Sequence, residues 1–197
     1  MRKLVAFLGM EGSGKTTNAQ KLVDDCGFKK YSFADALREM AFKIIGIDYE
    51  EGMKNYSVLK QTEIYNKQNF RNILENLGSA IREQSEDFWV NTVINKISNT
   101  NENICIDDMR YPNEFLLVYN FCKKNNIEFK AYFCNYKSSV YRDDNPHESA
   151  RLAKFLYDKN YKDLQEIDIY DIISYNSKKE NNKLKTVIKN MLRGNNV

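Results

Sequence analysis

The chain has 197 residues and a net charge of +3, from 30 Lys and Arg against 27 Asp and Glu. Its 42% hydrophobic and 29% charged content is that of a globular protein and excludes disorder across most of the chain. Two prolines and eight glycines exclude a collagen-like or low-complexity chain, and the nearly balanced charge argues against a dedicated nucleic-acid binder.

Leu4 to Leu8 is a short apolar run closed by Gly9, which suits a buried parallel strand. The preceding Arg2-Lys3 gives the N-terminus a superficial likeness to a signal peptide. The run is too short, however, and Glu11 and Lys15 follow too soon. No run approaches the ~18 apolar residues that span a membrane. The expected location is therefore cytoplasmic.

Residues 15–25 read as a helix, with Ala19, Leu22 and Val23 on one face. Phe28 to Phe33 is a second strand. Ala34 to Ile45 is a helix with Leu37, Met40, Ala41, Ile44 and Ile45 at helical spacing. Residues 47–68 are polar and mixed, with no clear period. Asn69 to Glu83 is an amphipathic helix, and Phe88 to Ile97 another. Ile104-Cys105-Ile106 is a third strand, closed by Asp107-Asp108. Pro112 opens a further helix, and Ile127 to Cys134 is a fourth strand. Residues 135–147 are a loop, 148–158 a helix, Ile169 to Ile173 a short fifth strand and Lys183 to Leu192 a closing helix.

Strands alternating with helices imply an α/β fold: a parallel sheet of about five strands with helices on both faces. One domain over 1–197 is expected, with a helical region at about 34–100 and a lid at about 136–160. Cys26, Cys105, Cys122 and Cys134 lack metal-site spacing. Cys105 and Cys134 sit in apolar runs and read as small buried hydrophobes in a reducing compartment.

Gly9-Met10-Glu11-Gly12-Ser13-Gly14-Lys15-Thr16 fits the phosphate-loop pattern at every fixed position. Glycines allow the φ values that turn backbone N–H groups inward on an anion, and the following helix adds its N-terminal dipole. Lys15 reaches the β- and γ-phosphates of a nucleoside triphosphate, and the Thr16 hydroxyl can ligate Mg²⁺. Gly12, Ser13, Gly14, Lys15, Thr16 and Thr17 are the candidate triphosphate-binding residues. ATP and Mg²⁺ are the expected cofactors.

Asp107-Asp108-Met109-Arg110-Tyr111-Pro112-Asn113-Glu114 follows a buried strand, and ligands bind at the carboxyl ends of such strands. Strand alternation puts Asp108 on the side of Ile104 and Ile106. Asp108 is a candidate Mg²⁺ partner with Thr16, and Arg110 can grip phosphate in two-pronged fashion. The competing reading is a strand-end turn, with Glu114 complementing the next helix dipole.

On the helix at 69–83, Arg71, Glu75, Gly78 and Arg82 share a stripe apart from the apolar face. They make either the floor of a groove or a solvated face with an Arg71–Glu75 pair at i, i+4.

These residues together resemble the deoxynucleoside monophosphate kinases of bacteriophages. The likeness spans nearly the whole chain. It comprises the phosphate loop, Tyr31-Ser32-Phe33-Ala34-Asp35, Arg71 to Arg82, Trp89-Val90, Ile106 to Glu114, His147-Glu148-Ser149 and Asp171 to Asn176. Ala150 stands where that family often has an acid.

The resemblance implies a three-layer P-loop kinase fold that moves the ATP γ-phosphoryl group onto a 5′-deoxynucleoside monophosphate; the competing readings are a P-loop kinase of a ribonucleotide or coenzyme precursor, and a nucleotide-binding ATPase or switch. It implies that Ser32, Asp35, Arg38, Arg71 and Trp89 line the acceptor pocket. Asp108, Arg110 and Glu114 would meet the acceptor phosphate and sugar. Read from the residues alone, Trp89 is a core aromatic. Lys15, Arg110 and one of Arg142 and Arg151 would neutralise the transferring group. The implied partner is a small molecule, with neither nucleic acid nor membrane, and a homodimer is admitted. No general base is needed, so His147 reads as a loop or lid contact.

Overall fold

A computed structural model describes residues 1–65, 68–136 and 148–180 of the chain. Its centre is a five-stranded sheet in the order β2-β5-β1-β6-β7. The first four are β1 (Lys3–Leu8), β2 (Lys29–Tyr31), β5 (Ile104–Met109) and β6 (Glu128–Phe133), and they run parallel. The short edge strand β7 (Gln165–Glu166) runs antiparallel to β6.

Helices cover both faces because alternate strand residues are apolar on both sides. Leu4, Ala6, Leu8, Ile104 and Ile106 face the larger core. There they meet α6 (Phe88–Ser98), α7 (Pro112–Lys124) and α8 (Glu148–Asp158). On the opposite face Phe7, Cys105 and Cys134 pack against Ala19 of α1 (Lys15–Cys26). Cys105 and Cys134 are buried thiols, as their apolar context indicated.

A helical insert joins β2 to β5. It contains α2 (Ala34–Ile45), α3 (Tyr49–Lys54), α4 (Tyr56–Leu59), a two-stranded hairpin β3 (Glu63–Tyr65) and β4 (Gln68–Asn69), and α5 (Phe70–Gln84) ahead of α6. Its own core is aromatic. Phe42 stacks on Phe70 with centroids 4.9 Å apart, and Tyr49 and Tyr56 meet Phe42 edge-on. Gly52 is required where α3 crosses Phe42, since a β-carbon there would sit 2.6 Å from the ring. Where α2 crosses α5, a β-carbon on Gly78 would stand 3.0 Å from Leu37.

Two features differ from the sequence expectation. The run Ile169–Ile173 is not a strand; residues 169–180 are helical (α9). Ile169, Ile172 and Tyr175 recur at helical spacing and pack on the larger core, and the Asp168 carboxylate accepts the Tyr170 amide at the helix start. The fifth strand is β7 instead.

Second, alternation along β5 breaks after Ile106. Ala6 pairs with Ile106 but Leu8 pairs with Met109, so β5 carries one extra residue there. Met109 takes the core position that regular alternation gives to Asp108. Both aspartates thereby turn toward the start of α2. The closing helix expected at Lys183–Leu192 lies outside the described residues, as do Arg142 and His147.

Candidate active site

The loop from Gly9 to Lys15 leaves the carboxyl end of β1, the central strand of the sheet. Gly12 and Gly14 have φ of 77° and 97°, a region costly to side-chain-bearing residues. The Ser13 amide donates to the Met10 carbonyl at 3.2 Å, and the Tyr136 amide after β6 donates to the Ser13 carbonyl at 3.2 Å. Lys15 is buried, and its Nζ donates to the Gly9 and Met10 carbonyls at 2.7 and 2.6 Å. Burial pushes this ammonium down to about 8, with the Arg110 charge acting in the same direction and Asp107 and Asp108 opposing it.

The bulge in β5 sets the next layer. Asp107 is buried and accepts the Ser32 hydroxyl. Asp108 accepts the Phe33 and Ala34 amides at 2.8 and 3.0 Å. It thus supplies from β5 the cap that α2 lacks locally, since Phe33 has no capping side chain. Desolvation and neighbouring Asp107 raise the Asp108 pKa, while Arg38 and the two amides draw it back.

Glu114 plays the matching part at the start of α7, accepting the Arg110 and Tyr111 amides at 2.6 and 3.0 Å. Arg82 of α5 reaches the same carboxylate at 3.4 Å and lies 4.1 Å from the Tyr111 ring. Burial, reinforced by Asp108, raises the Glu114 carboxyl to about 7.

The loop and the insert face one another across a cleft of about 360 Å³. Gly12, Lys15 and Thr16 form the loop wall, and Arg38, Lys60, Arg71 and Arg82 bring positive charge from the insert. Asp107, Asp108, Arg110 and Glu114 line the side between them, with Phe33, Leu37, Leu74 and Trp89 as apolar wall. The volume is that of a small-molecule site.

Most residues singled out in the sequence therefore meet here. The α5 stripe is the groove floor: Arg71, Glu75, Gly78 and Arg82 all line the cleft. The Arg71–Glu75 pair is also present at 2.9 Å, so the two readings of that face coexist. Trp89 is likewise both core residue and cleft wall. It is 2% exposed, and its Nε1 donates to the Gly78 carbonyl at 3.2 Å.

Ser32 and Asp35 stand behind the wall rather than in it. Asp35 accepts the Ser32 amide at 3.0 Å and pairs with Arg38 at 2.7 Å. Arg151 does not line this cleft; it borders a small cavity behind Arg110 and Tyr111, together with Lys179. Ser13, Gly14 and Thr17 belong to the loop and helix start but not to the cleft lining.

Four polar lining residues had no functional reading in the sequence: Glu11, Tyr56, Lys60 and Ser79. The first fills a variable motif position, and the next two belong to the segment without a readable period.

Residues 8–110 match the model of a family described as an AAA domain. That is more than half of the chain. The chain belongs to this family. The AAA-domain match runs from the end of β1 through the insert to Arg110, and so includes the loop and both aspartates.

Two solved structures are similar at low identity. A cysteine-to-alanine mutant of the APS kinase CysC of Mycobacterium tuberculosis is 16% identical, with a TM-score of 0.38 over 80% of this chain and 95% of that one. A protein of Chloroflexus aurantiacus assigned as a kinase is 12% identical, with a TM-score of 0.41 over 92% and 97%. No curated protein matches the chain. No helix among the described residues is long and apolar enough to cross a membrane.

Proposed function

We propose that this P-loop domain is a small-molecule kinase whose acceptor is a 5′-deoxynucleoside monophosphate and whose donor is ATP with Mg²⁺. The observation that carries the reading is the cleft itself. A phosphate loop and a separate group of cations on the insert share one cavity, so a triphosphate and a second phosphorylated molecule can meet there.

The loop suits a triphosphate on its own evidence. The Ser13 hydroxyl is buried without a hydrogen-bond partner among the described residues. Gly12 and Gly14 hold the φ values of an inward-facing nest of amides. Lys15 is buried among carbonyls that a phosphate would replace as its partners.

Magnesium ATP would supply the phosphoryl group and part of the charge neutralisation. Thr16 and the Asp107–Asp108 pair would hold the metal. Of the two aspartates, Asp108 has both oxygens on α2 amides, whereas Asp107 has one on Ser32.

The remaining steps are positioning and charge stabilisation, which dominate phosphoryl transfer. Arg38 and Arg71 would hold the acceptor phosphate from the insert. Arg110, with its amide fixed by Glu114, would face the transferring group opposite Lys15. A monophosphate has its second pKa near 6, so it is largely ionised at neutral pH and needs no base. Leu37, Leu74 and Trp89 offer an apolar wall to a flat base.

The test is acceptor-dependent ADP formation with each deoxy- and ribonucleoside monophosphate. Deoxynucleotide-dependent turnover supports the reading. Turnover confined to ribonucleotides or to another phosphorylated acceptor would replace the acceptor class.

A further inference from the structure

Glu11 occupies a variable position of the phosphate loop, where backbone amides do the binding and no acid is called for. Its side chain nevertheless reaches across to the insert. Oε1 lies 3.0 Å from Lys60 Nζ, and Oε2 lies 3.0 Å from Arg71 NH2. One carboxylate thus ties the loop to the residue after α4 and to the first turn of α5. Arg71 is steadied from its other side by Glu75. The Lys60 ammonium sits 5.5 Å from the Tyr56 ring centroid. Both cations line the cleft. A hydrogen bond from Lys60, and the charges of Lys60, Arg71 and Arg110, hold the Glu11 carboxyl below its ordinary range, so it is ionised at neutral pH.

A fixed negative charge amid cations that face a phosphate loop repels every phosphorylated ligand. It also occupies the groups such a ligand needs. We propose that Glu11 is a built-in stand-in for the acceptor phosphate. It holds Lys60 and Arg71 in place, is displaced by the incoming phosphate, and thereby sets acceptor affinity.

The exchange favours a dianion. A phosphate brings about twice the charge of a carboxylate to the same pair. Glu11 has a route out, because its side chain is already 53% exposed and regains water on release. A singly charged anion gains too little to displace it, so the device selects dianionic phosphate over carboxylate ligands. This rests on the reading of the cleft as a donor–acceptor site.

The test compares the full-length protein with E11Q, which keeps the shape and loses the charge. Calorimetry reads the Kd of inorganic phosphate and of each deoxynucleoside monophosphate, and the coupled assay reads both Michaelis constants. E11Q should bind the acceptor about threefold tighter, the scale of a partly exposed ion pair, while the KM for ATP moves by less than about twofold. In a K60Q background the effect of E11Q should shrink, because the two residues share one contact. E102Q removes an exposed carboxylate far from the cleft and should leave the acceptor KM unchanged.

Unchanged or weaker acceptor and phosphate binding by a folded E11Q overturns the proposal. If the unaltered protein phosphorylates no nucleoside monophosphate, the kinase reading fails instead. The phosphate Kd then still decides the role of Glu11.

Discussion

The two walls of the cleft are built by different means. The loop wall is one contiguous stretch shaped by backbone, with glycines at positive φ and Lys15 folded onto the loop's own carbonyls. The insert wall is assembled from side chains on α2, α4 and α5, set around an aromatic core, with Arg38 and Arg71 each paired to an acid on its own helix. A wall of backbone binds the part every nucleotide shares. A wall of separate side chains can be tuned to one acceptor without disturbing the loop.

The contrast can be broken at its strongest point. Lys15→Ala should cut turnover by about 10²–10³-fold, as for loss of a preorganised charge at the reacting centre. Circular dichroism should show the fold intact, and near-normal turnover would remove the loop from the mechanism. Arg110→Ala should lower kcat by about 10²-fold. A change confined to ATP affinity would place Arg110 on the donor side alone. Arg38→Ala sharpens the division of labour. The acceptor KM should rise about tenfold, the loss of one charge-assisted contact, and the KM for ATP should stay nearly constant. Equal rises in both would mean that the walls do not act separately.

Smaller effects test the scaffold. Gly52→Ala drives a β-carbon into the Phe42 ring and should cost about 2 kcal/mol, lowering Tm by about 4–8 °C. An unchanged melt would mean that α3 does not pack where the structure has it.

Glu114→Gln should show a pH signature. The Glu114 pKa is raised from 4.5 to about 7, so between these values the folded chain holds a proton that the unfolded chain has released. The stability from this group is complete below about 4.5 and is lost as pH rises through about 7. Glutamine has no such loss. Its Tm relative to the unaltered protein should therefore improve from pH 5 to pH 8, and a constant difference would contradict the burial of a charge there.

The same division explains what was legible in the sequence. β1, the loop and α1 are local: an apolar run, a fixed-spacing motif and a 3.6-residue period, all within residues 3–26. The α5 stripe was readable as geometry because helical spacing alone brings Arg71, Gly78 and Arg82 to one face.

The segment at 47–68 was not readable. Its helices α3 and α4 are short, and their positions depend on Phe42 and Phe70, which lie outside it. The bulge in β5 had no local mark, yet it decides where Asp107 and Asp108 point. Ile169–Ile173 has the β-branched content of a strand and is helical because Ile169, Ile172 and Tyr175, three residues apart, meet the core. The link from Glu11 to Lys60 spans 49 residues and joins two regions with no shared pattern.

The most direct measurement is ADP formation by the purified protein with ATP and Mg²⁺, with each nucleoside monophosphate in turn and with none. The two-wall account predicts ADP only when a deoxynucleoside monophosphate is present, matched by an equal amount of its diphosphate. ADP formed at the same rate without any acceptor would contradict it and make the chain a nucleotide hydrolase.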